Sequence, residues 1–372
     1  MNLEGNKMDF SRQLMREAFL GAHNFYDDNL DYYYTRGKDS WSWKKKVKFQ
    51  IKKWAAHLFK KWINLEGILT ELDRFEVNNF EELYNALGDE SSKKLLVKLA
   101  AFRIMGSEKI KLPANTKAYW DQHKQLETLK DADDHVGIKS GDWVLSKYNL
   151  QTIGFPITLY SNIIALFDGY IAQQYAYHTS EVDIGVQEGD LVIDAGGCWG
   201  DTALYFAQHV GPKGKVFSFE FTPGNVAIMK KNLELNPALK DSITIVENPL
   251  WDESGTPVCF AERGPGSRVD LNSSDSFTGK VNALSIDAWS QKERINKVDF
   301  IKMDIEGAEL RALKGALGTL RRCKPKLAIA LYHNPEDFRT IPAFLASLGL
   351  GYKFYIGHKT IYAEETVLFA KV

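Results

Sequence analysis

Residues 191–210 read LVIDAGGCWGDTALYFAQHV. The first five form a short, almost wholly apolar run, as expected of a strand covered on both faces. Gly196 and Gly197 break that run, and Asp201 to Val210 repeats its apolar residues at helical spacing. A strand, a glycine turn and a helix in that order open a βαβ unit. The chain downstream keeps the alternation. KVFSFEF (215–221), SITIVEN (242–248), VDFIKMD (298–304) and KLAIALY (326–332) read as strands. PGNVAIMKKNLELN (223–236), GAELRALKGALGTLRR (307–322) and PEDFRTIPAFLASLG (335–349) read as helices. Strands separated by helices imply right-handed crossovers and a parallel sheet. YKFYIGH (352–358) and ETVLFAKV (365–372) have no helix between them, so they should pair as an antiparallel hairpin at one edge. The expectation is α/β: a Rossmann-like, seven-stranded doubly wound sheet.

Upstream of residue 180 the texture is different. The run NFEELYNALGDESSKKLLVKLAAFRIMG, from Asn79, reads as two helices joined at Gly88–Asp89. Gly141 to Tyr160 mixes aromatic and β-branched residues with Gly154 and Pro156, as in short strands or an ordered connection. This divides the chain into a mainly helical N-terminal region (1–140), a connecting segment (141–180) and a catalytic domain (181–372). Trp41 to Asn64 holds eight lysines, no acid, and an apolar stripe through Val47, Ile51, Trp54, Leu58 and Trp62. Two readings stay open: a packing helix with a solvated basic face, or an interfacial helix making peripheral membrane contact.

Composition narrows the classes. A chain that is 44% hydrophobic and 26% charged is globular, and a net charge of −1 argues against wrapping nucleic acid by global charge. The three cysteines, Cys198, Cys259 and Cys323, are odd in number and far apart, which disfavours a disulfide framework or a structural zinc site. The N-terminal residues have no apolar signal core and no run is long enough to span a membrane. The expected setting is therefore cytoplasmic, peripheral at a membrane if 41–64 binds one. Nothing in the sequence sets an oligomeric state.

Ligands of such sheets bind beyond the carboxyl ends of the strands, near the switch in strand order. Here the first strand ends D-x-G-x-C-x-G, from Asp194 through Gly196 and Cys198 to Gly200, with Gly197 completing the turn. An acid at that point repels a pyrophosphate and suits a cationic end, such as the amino group and sulfonium of S-adenosylmethionine. A plain turn with a capping Asp is the alternative. Glu220 ends the second strand 24 residues beyond Gly196, where an acid holds ribose hydroxyls. Asn248 after the third strand is placed to read an adenine amino group, with Trp251 or Leu250 against the ring; a turn Asn before Pro249 reads nearly as well. A dinucleotide-dependent oxidoreductase, or a non-catalytic module on the same sheet, is the alternative function; the first lacks G-x-G-x-x-G.

The blocks VIDAGGCWGDTALYFA, GKVFSFEFTPGNVAIMKKNLELN and VDFIKMDIEGAELRALKGA, in that order and spacing, resemble the FkbM family of S-adenosylmethionine-dependent methyltransferases. KMDIEGAE (302–309) is the most specific part, and the likeness runs over about residues 168–372. It implies the class I methyltransferase fold and methyl transfer to a hydroxyl oxygen of a sugar, glycan or related natural product. It also implies that Asp194, Gly196, Gly197, Gly200, Asp201, Thr202 and Glu220 surround the cofactor, with Cys198 in the same turn. Gln174 and Tyr175, before the first strand, are expected to close over it.

Methyl transfer from a sulfonium is an in-line displacement, and a hydroxyl acceptor calls for a general base. Asp304 ends the fourth strand and His333 follows the fifth, so both should face one crevice. His333 is expected as base and Asp304 as its partner or as a positioning group, with the roles exchangeable. Glu306 joins them as a functional candidate; Glu309 starts a helix, where an acid is favoured anyway. Lys302 shares a face with Asp304 and reads as a buried partner for an acid. Asp304, Glu306 and His333 are suitable ligand types for a cation, but their spacing requires none, and no metal is expected.

Overall fold

The computed structural model describes residues 3–22, 24, 26, 77–138, 143–271 and 279–372. The basic segment 41–64 lies outside the described residues. Helix α1 spans Leu3–Ala22, α2 Val77–Ala86, α3 Glu90–Met105 and α4 Lys117–Glu127. Asp89 stops α2 from running into α3, because its carboxylate accepts the Ser92 N–H at 2.7 Å as an N-cap. Strands β1 (Lys130–Ile138), β2 (Trp143–Asn149) and β3 (Thr158–Ser161) form an antiparallel sheet. Two of them fall where short strands were expected. The first, KDADDHVGI, was not expected, being too polar to show an apolar alternation. Its pairing with β2 crosses the division drawn at residue 140.

A two-residue pair, β4 (Tyr177–His178) with β5 (Asp183–Ile184), leads into the large sheet. Its first strands are β6 (Leu191–Ala195), β7 (Lys215–Phe219) and β8 (Ile243–Val246). A small antiparallel sheet follows, made of β9 (Pro257–Ala261), β10 (Arg268–Asp270) and β11 (Gly279–Asn282). The large sheet resumes with β12 (Phe300–Met303), β13 (Lys326–Ala330), β14 (Lys353–His358) and β15 (Thr366–Lys371). Its order is β14-β15-β13-β12-β6-β7-β8, parallel except for β15, which runs antiparallel between β13 and β14. That is the class I methyltransferase topology. The order reverses at β6 and β12, which are neighbours, so the crevice opens above those two strands.

Alternate residues of each strand enter opposite cores. Ile193, Ala195, Ile301, Met303 and Ile329 pack on one face with Trp289, Leu313, Leu320 and Phe338. Phe10, Phe80, Leu83, Leu96 and Phe102 of α1–α3 belong to the same cluster. Val192, Val216, Phe300, Ala328 and Phe369 pack on the other face with Leu204, Phe206 and Met229. Tyr119, Tyr148, Leu159 and Phe167 complete that second cluster. Each fully buried side chain of this size contributes about 1.5–3 kcal/mol of transfer free energy. The N-terminal helices therefore extend one face of the sheet, and residues of α4, β2, β3 and the stretch from Ile163 to Ile184 cover the other.

Helix α5 (Asp201–Val210) follows β6, and α6 (Pro223–Glu234) follows β7. Helix α7 (Ile286–Lys292) precedes β12. The single helix expected over 307–322 is instead two, α8 (Glu309–Lys314) and α9 (Leu317–Cys323). The cause is at Gly315, whose carbonyl leaves the helix ladder to accept the Asp287 N–H at 2.9 Å. A Cβ there would lie 2.2 Å from the Trp251 carbonyl oxygen. The Asp287 side chain accepts from the Gly318 and Thr319 N–H groups at the start of α9. Helix α10 (Asp337–Ser347) completes the layer. No helix among the described residues is long and apolar enough to cross a membrane.

Candidate active site

The turn after β6 is built on a row of polar side chains inside the sheet. Pairing puts Asp194 level with Ser218 on β7 and Lys302 on β12. Asp194 is wholly buried, at 0% exposure. Its carboxylate accepts from Ser218 Oγ at 2.7 Å and Thr202 Oγ1 at 3.0 Å, and pairs with Lys302 Nζ at 3.2 Å. Lys302 also donates to the carbonyls of Ala195 (3.1 Å) and Gly196 (2.6 Å). Burial works against its charge, but Asp194 and Asp304 outweigh that and raise its pKa. Asp194 was expected to face the ligand. Instead it sits behind the turn, because Lys302, Ser218 and Thr202 enclose it. Gly196 (φ 84°) lies above, where a Cβ would fall 1.9 Å from the Asp304 carbonyl oxygen. Only glycine lets the β6 and β12 turns approach so closely.

The turn after β12 is the reverse in character. Asp304 receives the Tyr175 hydroxyl at 2.6 Å and the Tyr332 hydroxyl at 3.0 and 3.1 Å. Burial raises both phenol pKa values, so both keep their protons to donate. His333 lies beyond, with Nε2 3.3 Å from Asp304 and 3.6 Å from Glu306, and Nδ1 2.9 Å from Glu309. Burial pushes its pKa down, but Glu306, Glu309 and Asp304 prevail and lift it to about 11. Glu309 is fully buried, and its Oε1 also accepts the Ile305 N–H at 2.8 Å.

Two connected cavities lie over these turns. The narrower, of about 50 Å³, is walled by Phe219, Glu220, Phe221, Asn248, Leu250 and Val269. The wider, of about 410 Å³, is lined by Asp168, Gln174, Tyr175, Asp201, Thr202 and Trp199 on one side. Lys302, Tyr332, Tyr362, Glu364 and Glu365 line the other. Gly196, Cys198, Pro265, Asp304 and Glu306 belong to both, so the cavities meet above the β6 and β12 turns.

Most of the expected residues are brought together here. Glu220 Oε1 is held by the Phe221 and Thr222 N–H groups and the Thr222 hydroxyl, which leaves Oε2, sharing only Asn225 Nδ2 at 3.2 Å. Burial raises its pKa. Burial likewise lifts Asp201 to about 6 and keeps the Cys198 thiol protonated. Asn248 lines the slot, its Nδ2 donating to the Asn282 carbonyl at 3.2 Å. Trp251 does not line it; it packs with Val258, Ala283 and Ala308 under the Arg311 guanidinium, and Leu250 takes the wall. Gly197 and Gly200 pack against Ser218 and Met229 rather than the cavities. His358 is distant in role: Nδ1 meets Thr366 Oγ1 and Nε2 the Tyr362 carbonyl, and burial lowers its pKa to about 3.

Asp168, Tyr332, Tyr362, Glu364 and Glu365 were not singled out from sequence. Glu365 pairs with Gln174, and burial raises its pKa well above the usual carboxyl range. One signal exists only in the backbone. Of the six non-glycine residues with positive φ among the described residues, Cys198, Glu306 and Glu365 (45°, 57° and 75°) line the cavities, and Gln173 (50°) adjoins Gln174, which does. The stretch from Gly264 to Val269 supplies Gly264, Pro265, Ser267 and Val269 as lining. Trp143 of β2 clamps it by donating to the Arg263 carbonyl at 3.2 Å.

The family model described as the methyltransferase FkbM domain matches residues 183–354. The 2-O-methyltransferase NoeI of Sinorhizobium fredii is 24% identical over 164 residues, 40% of this chain and 65% of that protein. The methyltransferase sdnD of Sordaria araneosa is 26% identical over 156 residues, 34% of this chain and 60% of that protein. The chain thus spans less than two thirds of either relative. Among solved structures, methyltransferase FkbM from Methylobacillus flagellatus aligns over 79% of this chain and 58% of its own, at 17% identity and a TM-score of 0.49. Residues 183–354, which carry most of the large sheet and the motifs read from the sequence, thus match the methyltransferase FkbM domain.

Proposed function

We propose that this chain is an S-adenosylmethionine-dependent O-methyltransferase whose acceptor is a hydroxyl of a sugar, glycan or related natural product. The observation that carries the reading is the meeting of a narrow, Glu220-walled apolar slot with a wide, acid-lined cavity at Gly196, Cys198 and Asp304. The slot suits a nucleoside: Glu220 Oε2 for a ribose hydroxyl, and Phe221, Leu250 and Val269 for the base. The acid-lined junction suits a sulfonium and an amino group, and repels the pyrophosphate of a dinucleotide. Direction to oxygen rests on the distant likeness to a 2-O-methyltransferase. Glycan or natural-product acceptors follow from the family resemblance.

S-adenosylmethionine, when bound, supplies a methyl group activated by positive sulfur. The residues of the chain do the rest. Asp304, at the junction, accepts a hydrogen bond from the acceptor hydroxyl and takes its proton as the C–O bond forms and the C–S bond breaks. Tyr175 and Tyr332 fix that carboxylate, so that the acceptor oxygen is held in line. His333 is better placed to steady the site than to act as base, because its two nitrogens face Asp304 and Glu309 rather than the cavity. The exchange of roles left open by the sequence is thus drawn in favour of Asp304. Glu220 and Leu250 set the donor's depth in the slot.

Thermal unfolding with S-adenosylhomocysteine and with NADH tests this reading. A ligand held only by the native state at about 100 times its dissociation constant adds about 2.7 kcal/mol. A rise in Tm with S-adenosylhomocysteine alone is expected, followed by a screen of sugar acceptors for methylated product. A rise with NADH alone would replace the proposal with a dinucleotide enzyme.

A further inference from the structure

We propose that Asp304, Glu309 and His333 form a binding site for one divalent first-row cation, of the Mn²⁺ or Zn²⁺ kind. Each offers one ligand atom, and these atoms all lie within 4.8 Å of one another. Oxygen and nitrogen ligands about 2.0–2.2 Å from one ion stand about 3 Å apart when adjacent and somewhat over 4 Å when opposite. A small inward movement therefore brings the three into coordination. Glu306 Oε1, 3.6 Å from His333 Nε2, stands ready as a further ligand.

Two observations separate this cluster from an ordinary group of surface acids. Glu309 is at 0% exposure, and its Oε2 has no hydrogen-bond partner. A buried carboxylate oxygen left unpaired is costly, and a cation removes the cost. The His333 side chain is 9% exposed, and its ring nitrogens lie near carboxylates without hydrogen-bond geometry. Three carboxylate side chains face this one imidazole, so even a fully charged ring leaves two negative charges unbalanced. Lys302, which lines the same cavity, is committed to Asp194 and two carbonyls.

The donor set selects the ion. Imidazole suits Zn²⁺ and iron, and carboxylate suits Mn²⁺ and Mg²⁺, so a mixed set favours Mn²⁺ or Zn²⁺. Ca²⁺, which takes six to eight oxygens, is disfavoured. The supports are in place: the Ile305 N–H orients Glu309, and Tyr175 and Tyr332 orient Asp304. The ion would stand beside the junction of the two cavities. Its binding goes beyond the methyl-donor reading and does not depend on it.

The test uses the full chain, stripped with EDTA and returned to chelator-free buffer, then titrated with MnCl₂ while free Mn²⁺ is read by electron paramagnetic resonance. One Mn²⁺ per chain is expected, displaced by Zn²⁺. His333→Ala and Glu309→Gln should each weaken binding at least tenfold while retaining native circular dichroism. Should the buried Glu309→Gln variant not fold, the wild type and His333→Ala decide between them. No stoichiometric Mn²⁺ on the wild type at millimolar metal, or equal binding by folded His333→Ala, overturns the site. Adding S-adenosylhomocysteine to the same samples in a thermal scan keeps the two questions apart. Mn²⁺ bound without that shift upholds the metal site while the donor reading fails, and the shift without Mn²⁺ does the opposite.

Discussion

The turns after β6 and β12 each begin with an aspartate at the end of a neighbouring parallel strand, and they do opposite things. Asp194 is enclosed by Lys302, Ser218 and Thr202 and has no exposure. Asp304 opens on both cavities and sits among Glu306, Glu309 and His333. The first turn has its charge balanced; the second gathers like charges. A balanced buried charge holds a loop in place, whereas an unbalanced one keeps the capacity to engage a ligand. Position at a strand end therefore does not assign a role; the neighbours do.

The sharpest way to break this comparison is Asp194→Ala. Lys302, 2% exposed at its side chain, would be left buried without its partner, at a cost of about 3–5 kcal/mol. Denaturant unfolding should show the loss, and Asp194→Ala with Lys302→Met should recover part of it. Unchanged stability with lost S-adenosylhomocysteine binding would instead return Asp194 to the ligand. Asp304→Asn should behave the other way. Methyl transfer, on an acceptor found by screening, should fall about 100-fold, with unfolding free energy changed by less than about 1 kcal/mol. A large stability loss there would erase the contrast between the turns.

His358 extends the sealed class to a titratable ring. Its folded pKa, about 3, lies below the 6.5 of the free side chain. The stability linked to it is full above pH 6.5 and is lost as pH falls toward 3. Between pH 7 and pH 4 the wild type should lose about 3 kcal/mol more than His358→Gln, measured by unfolding at each pH. Equal slopes would show that the ring is not held neutral. The smallest effect belongs to Glu220, which is half committed, one oxygen to its own helix start and one to the slot. Glu220→Gln should weaken S-adenosylhomocysteine about tenfold by calorimetry, since a hydrogen bond to a charged group is worth about 1.5–3 kcal/mol and the amide keeps part of it.

Much of the fold was legible because it rests on local periodicity. All seven strands of the large sheet, and the terminal hairpin, were visible as apolar runs between glycine turns and helical patterns. β1 was hidden because its residues are polar, and its place comes from pairing with β2. The break between α8 and α9 was hidden because it depends on Asp287 and Trp251, far away in sequence. At the site, the sequence placed Asp304, Glu306 and His333 near one another, as the structure does, but it expected His333 to face the crevice, whereas its ring nitrogens face Asp304, Glu306 and Glu309. It could not tell that His333 faces three carboxylates, because Glu309 comes round from the start of a helix.

The amino-acid sequence by itself determined the order of strands and helices, the glycine turn after β6 and the acids at the strand ends. These follow from side-chain size, branching and spacing along the chain. Only the tertiary structure decided which of those acids is sealed and which is open. Burial and charge balance are sums over neighbours on β7, β12, β13 and the segment before β6, brought within 4 Å of one another by the sheet.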